Sequence, residues 1–228
     1  MATIKSREYV LDKEELQALF NACEDFYEEF AIKTLALTGL RVGEFLHLNP
    51  EWVNFEEGYI KVPRRIKCGS PNCGYCKQKK WEYNRRMQLY IKNPQTIERL
   101  LNEPNFLNGY WVSKTAEAQR IVPFVSNEVP RLLREFFKES YYVYEEYYDK
   151  VTVWKICRDV GNRIGKKVTP HILRASFATR LASMGVSEAN LCAIMGWSSL
   201  QTALHYVRAS GRRAIEEVNR LLKVQSFV

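Results

Sequence analysis

The chain has 228 residues, of which 46% are hydrophobic and 26% are charged, so its length and composition fit one large or two small globular domains. This balance excludes disorder, collagen and coiled coil as the main architecture, and no apolar run approaches the roughly 18 residues that span a bilayer. Lysine plus arginine number 34 against 26 aspartates plus glutamates, and the net charge of +8 favours an anionic partner, most often nucleic acid.

The predicted elements, in chain order, are mostly helical. Apolar residues at helical spacing predict the first helices over 11–32, 27–38 and 41–48. Strand character is predicted for 58–63, 110–113 and 119–125, and 64–109 is predicted to be an irregular insertion. Helical periodicity resumes at 127, and the glycines that break it are Gly165, Gly185, Gly196 and Gly211. The expected fold class is α+β, mainly α-helical with a small antiparallel sheet, in a single domain over 1–228.

The positive charge is concentrated in the insertion. Residues 61–86 contain nine basic side chains and one acidic side chain, so this stretch carries a charge equal to that of the whole chain. The rings of Tyr75, Trp81 and Tyr83 are interleaved with these cations, which favours nucleic-acid contact over a solvated surface loop. The candidate DNA-binding residues are Arg64, Arg65, Lys67, Lys77, Lys79, Lys80, Arg85 and Arg86.

Six cysteines are too few for a disulfide scaffold in a chain of this length. The isolated cysteines, which are interpreted as core residues, are Cys23, Cys157 and Cys192. Cys68, Cys73 and Cys76 lie close together, and the Cys-Gly-Tyr-Cys spacing resembles one half of a zinc ribbon. These three are candidate ligands of a structural zinc that would brace the basic loop, with a disulfide or free thiols as alternatives. A closed site needs a fourth ligand, for which His47 is a distant candidate.

Segment 168–185, VTPHILRASFATRLASMG, predicts a helix with a phosphate-binding start. Thr169 is a suitable N-cap, and Pro170 occupies the first helical position. His171 and Arg174 then lie one turn apart on the same face, where the helix dipole, the imidazole and the guanidinium can all favour a phosphate. Taken alone, His-x-x-Arg is a weak pattern, and an exposed pair without function is the simpler interpretation.

Segment 35–48, LALTGLRVGEFLHL, places Arg41 directly after a glycine break and Glu44 one turn later. The carboxylate of Glu44 could hold the guanidinium of Arg41. Without further context, a purely structural Arg–Glu pair is the simpler interpretation of this segment.

Four motifs in order change that interpretation: TGLRVGEFLHL, SKTAEAQRIVPF, HILRASFATRL and MGWSSLQTALHYVRASG. With them the chain resembles the catalytic domain of the tyrosine recombinases, or phage-type integrases, from about Leu11 to Gly211 apart from the insertion. The resemblance implies the tyrosine recombinase catalytic-domain fold. The positions that match the catalytic pattern of the family are Arg41, Lys114, His171, Arg174, Trp197 and Tyr206.

The resemblance implies a DNA-cleaving and rejoining enzyme. Arg41 and Arg174 would bind the non-bridging oxygens of the phosphate, and His171 would donate to it or move a proton. Tyr206 would be the nucleophile that forms a 3′-phosphotyrosine link, and Lys114 the general acid for the leaving 5′ oxygen. The link conserves bond energy, so neither ATP nor a catalytic metal is expected, and the chain contains no phosphate-binding Walker motif.

Some positions depart from the common pattern. Trp197 stands where a histidine is commoner, and its indole N–H can donate a hydrogen bond but cannot shuttle a proton. The spacing from Lys114 to Arg120 resembles that of archaeal members, and Lys61 is the alternative to Lys114. The tyrosines that compete with Tyr206 are interpreted as an aromatic packing face and are Tyr141, Tyr142, Tyr144, Tyr147 and Tyr148.

The remaining expectations concern the two ends of the chain, the alternative functions and the location of the protein. Only about ten residues precede the catalytic domain, so the N-terminal DNA-binding domain usual in the family is expected to be absent. An apolar stripe over 212–228 predicts a tail helix that packs either on its own domain or on a neighbour in a tetramer on DNA. The alternative functions are type IB topoisomerase-like relaxation, a catalytically silent DNA-binding regulator, and an accessory module whose cysteine loop binds protein or RNA. A start without an apolar core is not a signal peptide and predicts a cytoplasmic protein.

Overall fold

The helices and strands follow from a computed structural model that describes residues 9–68, 73, 88, 110–113, 115–143 and 148–210. The helices are α1 (Lys13–Asn21), α2 (Phe26–Thr38), α3 (Val42–Leu46), α4 (Glu128–Phe136), α5 (Lys150–Arg163), α6 (Pro170–Ser183), α7 (Glu188–Met195) and α8 (Leu200–Ser210). The strands are β1 (Val53–Asn54), β2 (Tyr59–Val62), β3 (Arg65–Lys67), β4 (Tyr110–Val112) and β5 (Arg120–Pro123). The predicted α+β class is confirmed. None of the described helices has both the length and the apolar character needed to cross a membrane.

Aspartate caps divide the N-terminal helical segment. The side chains of Asp12 and Asp25 each accept a backbone N–H at 2.8 Å, which begins α1 and α2 respectively. The single helix predicted over 11–32 is therefore wrong, because the chain leaves the helix after Asn21 and starts a new one at Asp25. The predicted end of the next helix at Gly39 is confirmed, and this glycine has a left-handed φ of 61°.

Two small antiparallel sheets accompany the helices. β2 lies between β1 and β5, and Val62 stands opposite Arg120. β3 pairs with β4, and Ile66 stands opposite Trp111. Strand β3 falls at the start of the segment predicted to be irregular, so the prediction is wrong there: β3 is extended because it pairs with a strand more than forty residues away. The inserted segment therefore leaves and re-enters the body through adjacent strands.

The core is centred on α2, which packs against α4, α5 and α6. Phe30 of α2 is fully buried and stacks on Phe136 of α4, with ring centroids 4.2 Å apart, and Phe45 and Tyr148 pack around it. Burial of one such ring contributes about 2–3 kcal/mol. A second cluster joins α6, α7 and α8 and includes Tyr206. Because α6 contributes side chains to both clusters, it connects the main core to the helix that carries Tyr206.

The predicted aromatic packing face is confirmed only in part. Tyr148 is buried, its hydroxyl donates to the carbonyl of Tyr27 at 2.5 Å, and burial raises its pKa. Tyr141 is instead 43% exposed and donates to a surface carboxylate. Tyr144 and Tyr147 lie outside the described residues.

The isolated cysteines differ in burial. Cys157 of α5 is fully buried, as predicted for a core residue, and burial raises the pKa of its thiol to about 12. Cys23 and Cys192 are half-buried at the margins of the two clusters. All three are free thiols.

Candidate active site

Arg41 stands at the N-terminus of α3, directly after the turn that ends α2. Its backbone N–H and its Nη1 donate to the two carboxylate oxygens of Glu44, both at 2.8 Å, and its Nη2 donates to the carbonyl of Gly196 at 2.9 Å. These contacts use two of the five guanidinium N–H groups, and the side chain is 24% exposed. The Arg–Glu pair is therefore present, and the guanidinium keeps donors for a ligand.

Arg174 projects from α6 into the same region and is buried. Thr169 caps this helix by accepting the N–H of Ile172 at 3.2 Å, so the predicted helix start is confirmed. The Nη1 of Arg174 donates to the carbonyl of Gly39, and its Nη2 donates to that of Met195. Burial and the nearby positive charges lower its pKa to about 9, which still leaves the guanidinium charged at neutral pH.

Glu44 and Arg120 form the base of this cluster. Arg120, on β5, donates through Nη1 and Nη2 to the two carboxylate oxygens of Glu44, at 2.9 and 2.8 Å. It also donates to the carbonyls of Ile194 and Ala118, so four of its five side-chain N–H groups bind the protein itself. Burial would raise the pKa of Glu44, but the charge and hydrogen bonds of Arg120, with Arg174 and Arg41 nearby, lower it to about 2. Glu44 is thus a buried carboxylate that partly neutralises three guanidiniums.

Tyr206 lies on α8 beside this cluster. It is 6% exposed, and its ring stacks on that of Trp197 with centroids 4.9 Å apart and planes 10° from parallel. Tyr206 is also close enough to Arg174 to interact with it electrostatically. The structure therefore brings together Arg41, Arg174, Trp197 and Tyr206, four of the six positions predicted from the sequence.

His171 occupies the rim of the site. It follows Pro170 in the first turn of α6, is exposed, and packs edge-on against Trp154 of α5 with ring centroids 5.9 Å apart. Arg174, one turn later, is buried. The two residues predicted to share a helix face thus differ in depth, with the imidazole at the surface and the guanidinium below it.

Two glycines link the arginines to distant segments. The carbonyl of Gly39 accepts from Arg174, and that of Gly196 accepts from Arg41. Both glycines have positive φ, and a Cβ would lie 2.5 Å from Phe177 at Gly39 and 2.9 Å from the carbonyl oxygen of residue 117 at Gly196. Only glycine fits these positions without displacing a neighbour.

The sequence profile of the phage integrase family matches residues 9–213. The chain belongs to this family. A tyrosine recombinase XerA of Pyrococcus furiosus is 28% identical over 220 residues, which are 96% of this chain and 63% of that protein. A tyrosine recombinase XerD of Staphylococcus aureus is 24% identical over an alignment of 216 positions that covers 88% of this chain and 58% of that protein. The chain thus spans less than two thirds of the length of these relatives.

Solved structures of the family share the fold. The crystal structure of XerA recombinase superimposes with a TM-score of 0.61 at 21% identity, over 95% of this chain and 65% of that one. The Tn1549 transposon integrase in complex with transposon right end DNA gives a TM-score of 0.63 at 20% identity, over 95% of this chain and 67% of that one. The tyrosine recombinase catalytic-domain fold expected from the motifs is confirmed.

Arg120 is the site residue that sequence reasoning missed. In the motif comparison it only marks the end of a spacing from Lys114, but the strand pattern contains a signal for it. In β5 the buried positions alternate, and Arg120 occupies an inward position opposite Val62. A charged residue at an inward strand position needs a buried partner, and Glu44, within an apolar run, is that partner.

The candidate general acid is not placed. Lys114 lies outside the described residues, so its role stays a prediction. Its alternative, Lys61, is exposed on β2 opposite the exposed Ile121, whereas Arg120 points to the opposite, buried face of the sheet. This orientation does not favour Lys61 as a member of the arginine cluster.

The predicted DNA-binding residues are described only at the start of the insertion. Arg64 donates through Nη1 to the carbonyl and hydroxyl oxygens of Ser113, at 2.8 and 3.0 Å, so it holds the segment that precedes residue 114. Arg65 is exposed on β3, and only the backbone of Lys67 is described. The candidates outside the described residues are Lys77, Lys79, Lys80, Arg85 and Arg86.

The candidate metal ligands are brought together in part. Cys68 and Cys73 lie beside His47, and the three ligand atoms are within 4.8 Å of one another. His47, the candidate that is distant in the sequence, is therefore close to these two cysteines in space, because the β3–β4 pair returns the insertion to the end of α3. Cys76 lies outside the described residues.

Proposed function

We propose that the protein is a site-specific DNA recombinase that cleaves and rejoins DNA strands through a 3′-phosphotyrosine intermediate. The observation that carries this proposal is the position of Tyr206, stacked on Trp197 and interacting with the buried Arg174. A phenol beside guanidiniums is the combination that attack on a phosphodiester requires. The relatives and structural neighbours are named recombinases and integrases, which supports strand exchange over topoisomerase-like relaxation or a silent regulator.

Arg41 and Arg174 bind the non-bridging oxygens of the scissile phosphate. Each uses only two of its five N–H groups within the protein, so each retains donors for a phosphate. Negative charge grows on these oxygens in the transition state, and fixed positive charges there lower the barrier. The two nearby guanidiniums would also favour the phenolate of Tyr206, because an opposite charge nearby stabilises the charged form of a titratable group.

In the cleavage step the Tyr206 oxygen bonds to phosphorus and the bond to the 5′ oxygen breaks. Lys114 supplies the proton that the 5′ oxygen gains, and His171 donates to the phosphate or carries the proton that the phenol loses. Trp197 donates a hydrogen bond at most. In rejoining, a 5′ hydroxyl attacks phosphorus and releases Tyr206, so the step needs neither ATP nor a catalytic metal.

DNA is the proposed partner, and a groove next to the active-site rim supports it. Trp154, which packs against His171, lines a groove of ≈ 1070 Å³ together with residues of α5 and of the loop before α6. The cations along this groove are Lys150, Lys155, Arg158, Lys166 and Lys167. The Tn1549 integrase and the XerH recombinase among the neighbours were solved with DNA. The groove would carry a phosphate backbone past His171, and the basic insertion would be a second contact surface.

Covalent trapping tests the function. The protein is mixed with supercoiled DNA without added divalent metal, quenched with detergent, and examined for protein linked to a 3′ end. Wild type forms the adduct, Tyr206→Phe does not, and Tyr141→Phe, which removes an exposed phenol away from the site, forms it at the wild-type level. An adduct that survives in Tyr206→Phe contradicts the assigned nucleophile. Bound DNA without any wild-type adduct favours the silent regulator.

Assembly and location are proposed on the same basis. Strand exchange joins two cleaved duplexes, so a tetramer on DNA is the proposed assembly, and sedimentation with a duplex substrate measures it. The tail over 212–228 lies outside the described residues. The cytoplasmic location predicted from the sequence stays a prediction.

A structural zinc ion is proposed for the insertion. The thiols of Cys68 and Cys73 lie within 4.8 Å of each other, and Cys76 completes a Cys-x-x-Cys pair with Cys73. Thiolates at this spacing favour zinc. The ion would hold the insertion and take no part in the chemistry at Tyr206.

A further inference from the structure

We propose that His47 is a ligand of this zinc together with Cys68 and Cys73, and that the ion fastens the inserted segment to the helix that follows Arg41. The inference rests on the proposed structural zinc and adds the side chain that the body of the protein supplies. His47 directly follows α3, whereas the three cysteines belong to the insertion. One ion would therefore join two parts of the chain.

The imidazole of His47 is prepared for a metal. It is buried, and its Nδ1 lies 2.7 Å from the carbonyl oxygen of Gly43. A carbonyl oxygen only accepts, so Nδ1 carries a proton, and in the neutral imidazole Nε2 is then the atom with the lone pair that binds a metal. Metal-binding histidines usually donate their other ring N–H in this way. The ring also stacks on Trp111 of β4, with centroids 5.2 Å apart and planes 24° from parallel, which fixes its orientation.

The distances fit a shared ion. The Nε2 of His47 is 3.5 Å from the Sγ of Cys73 and 3.8 Å from the Sγ of Cys68. In a tetrahedral site with Zn–S of about 2.3 Å and Zn–N of about 2.0–2.1 Å, a nitrogen and a sulfur ligand are about 3.5 Å apart. S–H hydrogen bonds to Nε2 would be weak. An ion between the three atoms accounts for both distances.

The fourth ligand follows from the sequence. Cys76 lies outside the described residues, and the Cys73-Gly-Tyr-Cys76 spacing is that of a zinc knuckle. A site of three cysteines and one histidine is closed, which is the structural rather than the catalytic type of zinc site.

The location gives the ion a positioning role. Arg41 and His47 flank the five-residue helix α3, about 9 Å apart along its axis at 1.5 Å per residue. Cys68 follows β3, and Trp111 is in the partner strand β4, so the ion ties the base of the insertion to the C-terminal end of α3. A five-residue helix has little stability of its own. Loss of the ion would therefore loosen the helix that holds Arg41 and Glu44.

Metal content tests the ligand set. Protein expressed with zinc and purified without chelator is expected to contain one zinc ion per chain, and cobalt substitution is expected to give the visible spectrum of a tetrahedral thiolate site. His47→Asn and Cys73→Ser lose the ion, whereas Cys23→Ser, a half-buried thiol outside the group, keeps it. Wild type that is zinc-free, or that carries a disulfide and weighs 2 Da less, overturns the site. A His47→Asn protein with one zinc and an unchanged cobalt spectrum overturns the role of His47.

Hydrogen exchange tests the fastening. The N–H groups of His47 and Leu48 bond to the carbonyls of Glu44 and Phe45 at 3.2 and 3.1 Å, and removal of zinc from wild type is expected to accelerate their exchange by about tenfold or more. Peptides of α7 are expected not to change. Zinc release with unchanged exchange over 41–48 overturns the fastening role. Neither measurement uses DNA, so zinc binding without a phosphotyrosine adduct contradicts only the recombinase proposal. Wild type that is purified without zinc and still forms the adduct contradicts only the zinc proposal.

Discussion

Replacing Glu44 by glutamine removes the carboxylate that binds Arg41 and Arg120 and lies near Arg174. Glutamine keeps the size of the side chain but not its charge, so the perturbation is electrostatic. The Glu44 side chain is 2% exposed, and that of Arg120 is 3% exposed. Glu44→Gln therefore leaves the guanidinium of Arg120 buried without an opposite charge, next to Arg174.

Two estimates of the free energy of unfolding that is lost in Glu44→Gln agree. Removing one partner of a buried ion pair typically destabilises a protein by about 3–5 kcal/mol. Independently, the pKa of Glu44 falls from 4.5 to about 2, and at 1.36 kcal/mol per unit this corresponds to about 3 kcal/mol of stability at neutral pH. At about 2–4 °C per kcal/mol for a chain of this size, the melting temperature should fall by about 6–20 °C.

Thermal unfolding at several pH values is the assay. Because the folded-state pKa of Glu44 is lower than the unfolded value, its contribution is fully present above about pH 5 and is lost as the pH falls towards about 2. The difference in melting temperature between wild type and Glu44→Gln should therefore be largest at pH 7 and decrease in acid. Glu128→Gln, which removes a 43% exposed carboxylate paired with Lys33 and Arg131, is the control and should cost less than about 1 kcal/mol. Equal losses for the two variants at pH 7 would refute the reasoning.

Two further predictions concern backbone fit and DNA contact. Gly196→Ala adds a Cβ 2.9 Å from a carbonyl oxygen at a φ of 63°, so thermal unfolding should show a greater loss than for Gly165→Ala, which has a φ of 67° and open space around it. Equal losses of stability in the two variants would mean that the close Cβ contact at Gly196 adds no destabilisation. Lys155→Ala in the basic groove should weaken DNA binding about equally for all sequences and reduce the slope of log affinity against log salt by about 1. Titrations at several salt concentrations measure this slope, and an unchanged slope would remove Lys155 from the DNA contact.

Local signals were sufficient for much of the fold. The start of α6 was predicted because Thr169 and Pro170 are a cap and a first-turn residue, and the end of α2 because Gly39 adopts a left-handed conformation. The break between α1 and α2 was missed because apolar residues continue across it and the cap at Asp25 was overlooked. Strand β3 could not be predicted locally, since it is extended only through its pairing with β4.

The site residues also fall into two groups, those in local motifs and those whose partners are brought close by folding. Arg41, Arg174 and Tyr206 belong to motifs with fixed spacing, so they were predicted from the sequence. Arg120 and His47 take their roles from partners brought close by folding, namely Glu44 of α3 for Arg120 and the insertion cysteines Cys68 and Cys73 for His47. The alternation in β5 indicates that Arg120 faces inward, but the sequence near Arg120 and His47 identifies neither set of partners.

The glycines within the motifs explain why the motifs go together. The carbonyl of Gly39, in Thr-Gly-Leu-Arg, accepts from Arg174, and the carbonyl of Gly196, in Met-Gly-Trp, accepts from Arg41. Each arginine is thus held by the backbone of a segment that belongs to another motif, up to 155 residues away. The two guanidiniums reach their positions only when α2, α6 and α7 have packed, so the phosphate-binding pair forms together with the fold. The two hydrogen bonds of the Arg174 guanidinium both go to backbone carbonyls, which carry no net charge. Glu44 forms two hydrogen bonds with Arg120 and one with the guanidinium of Arg41, so the cluster keeps a net positive charge beside Tyr206.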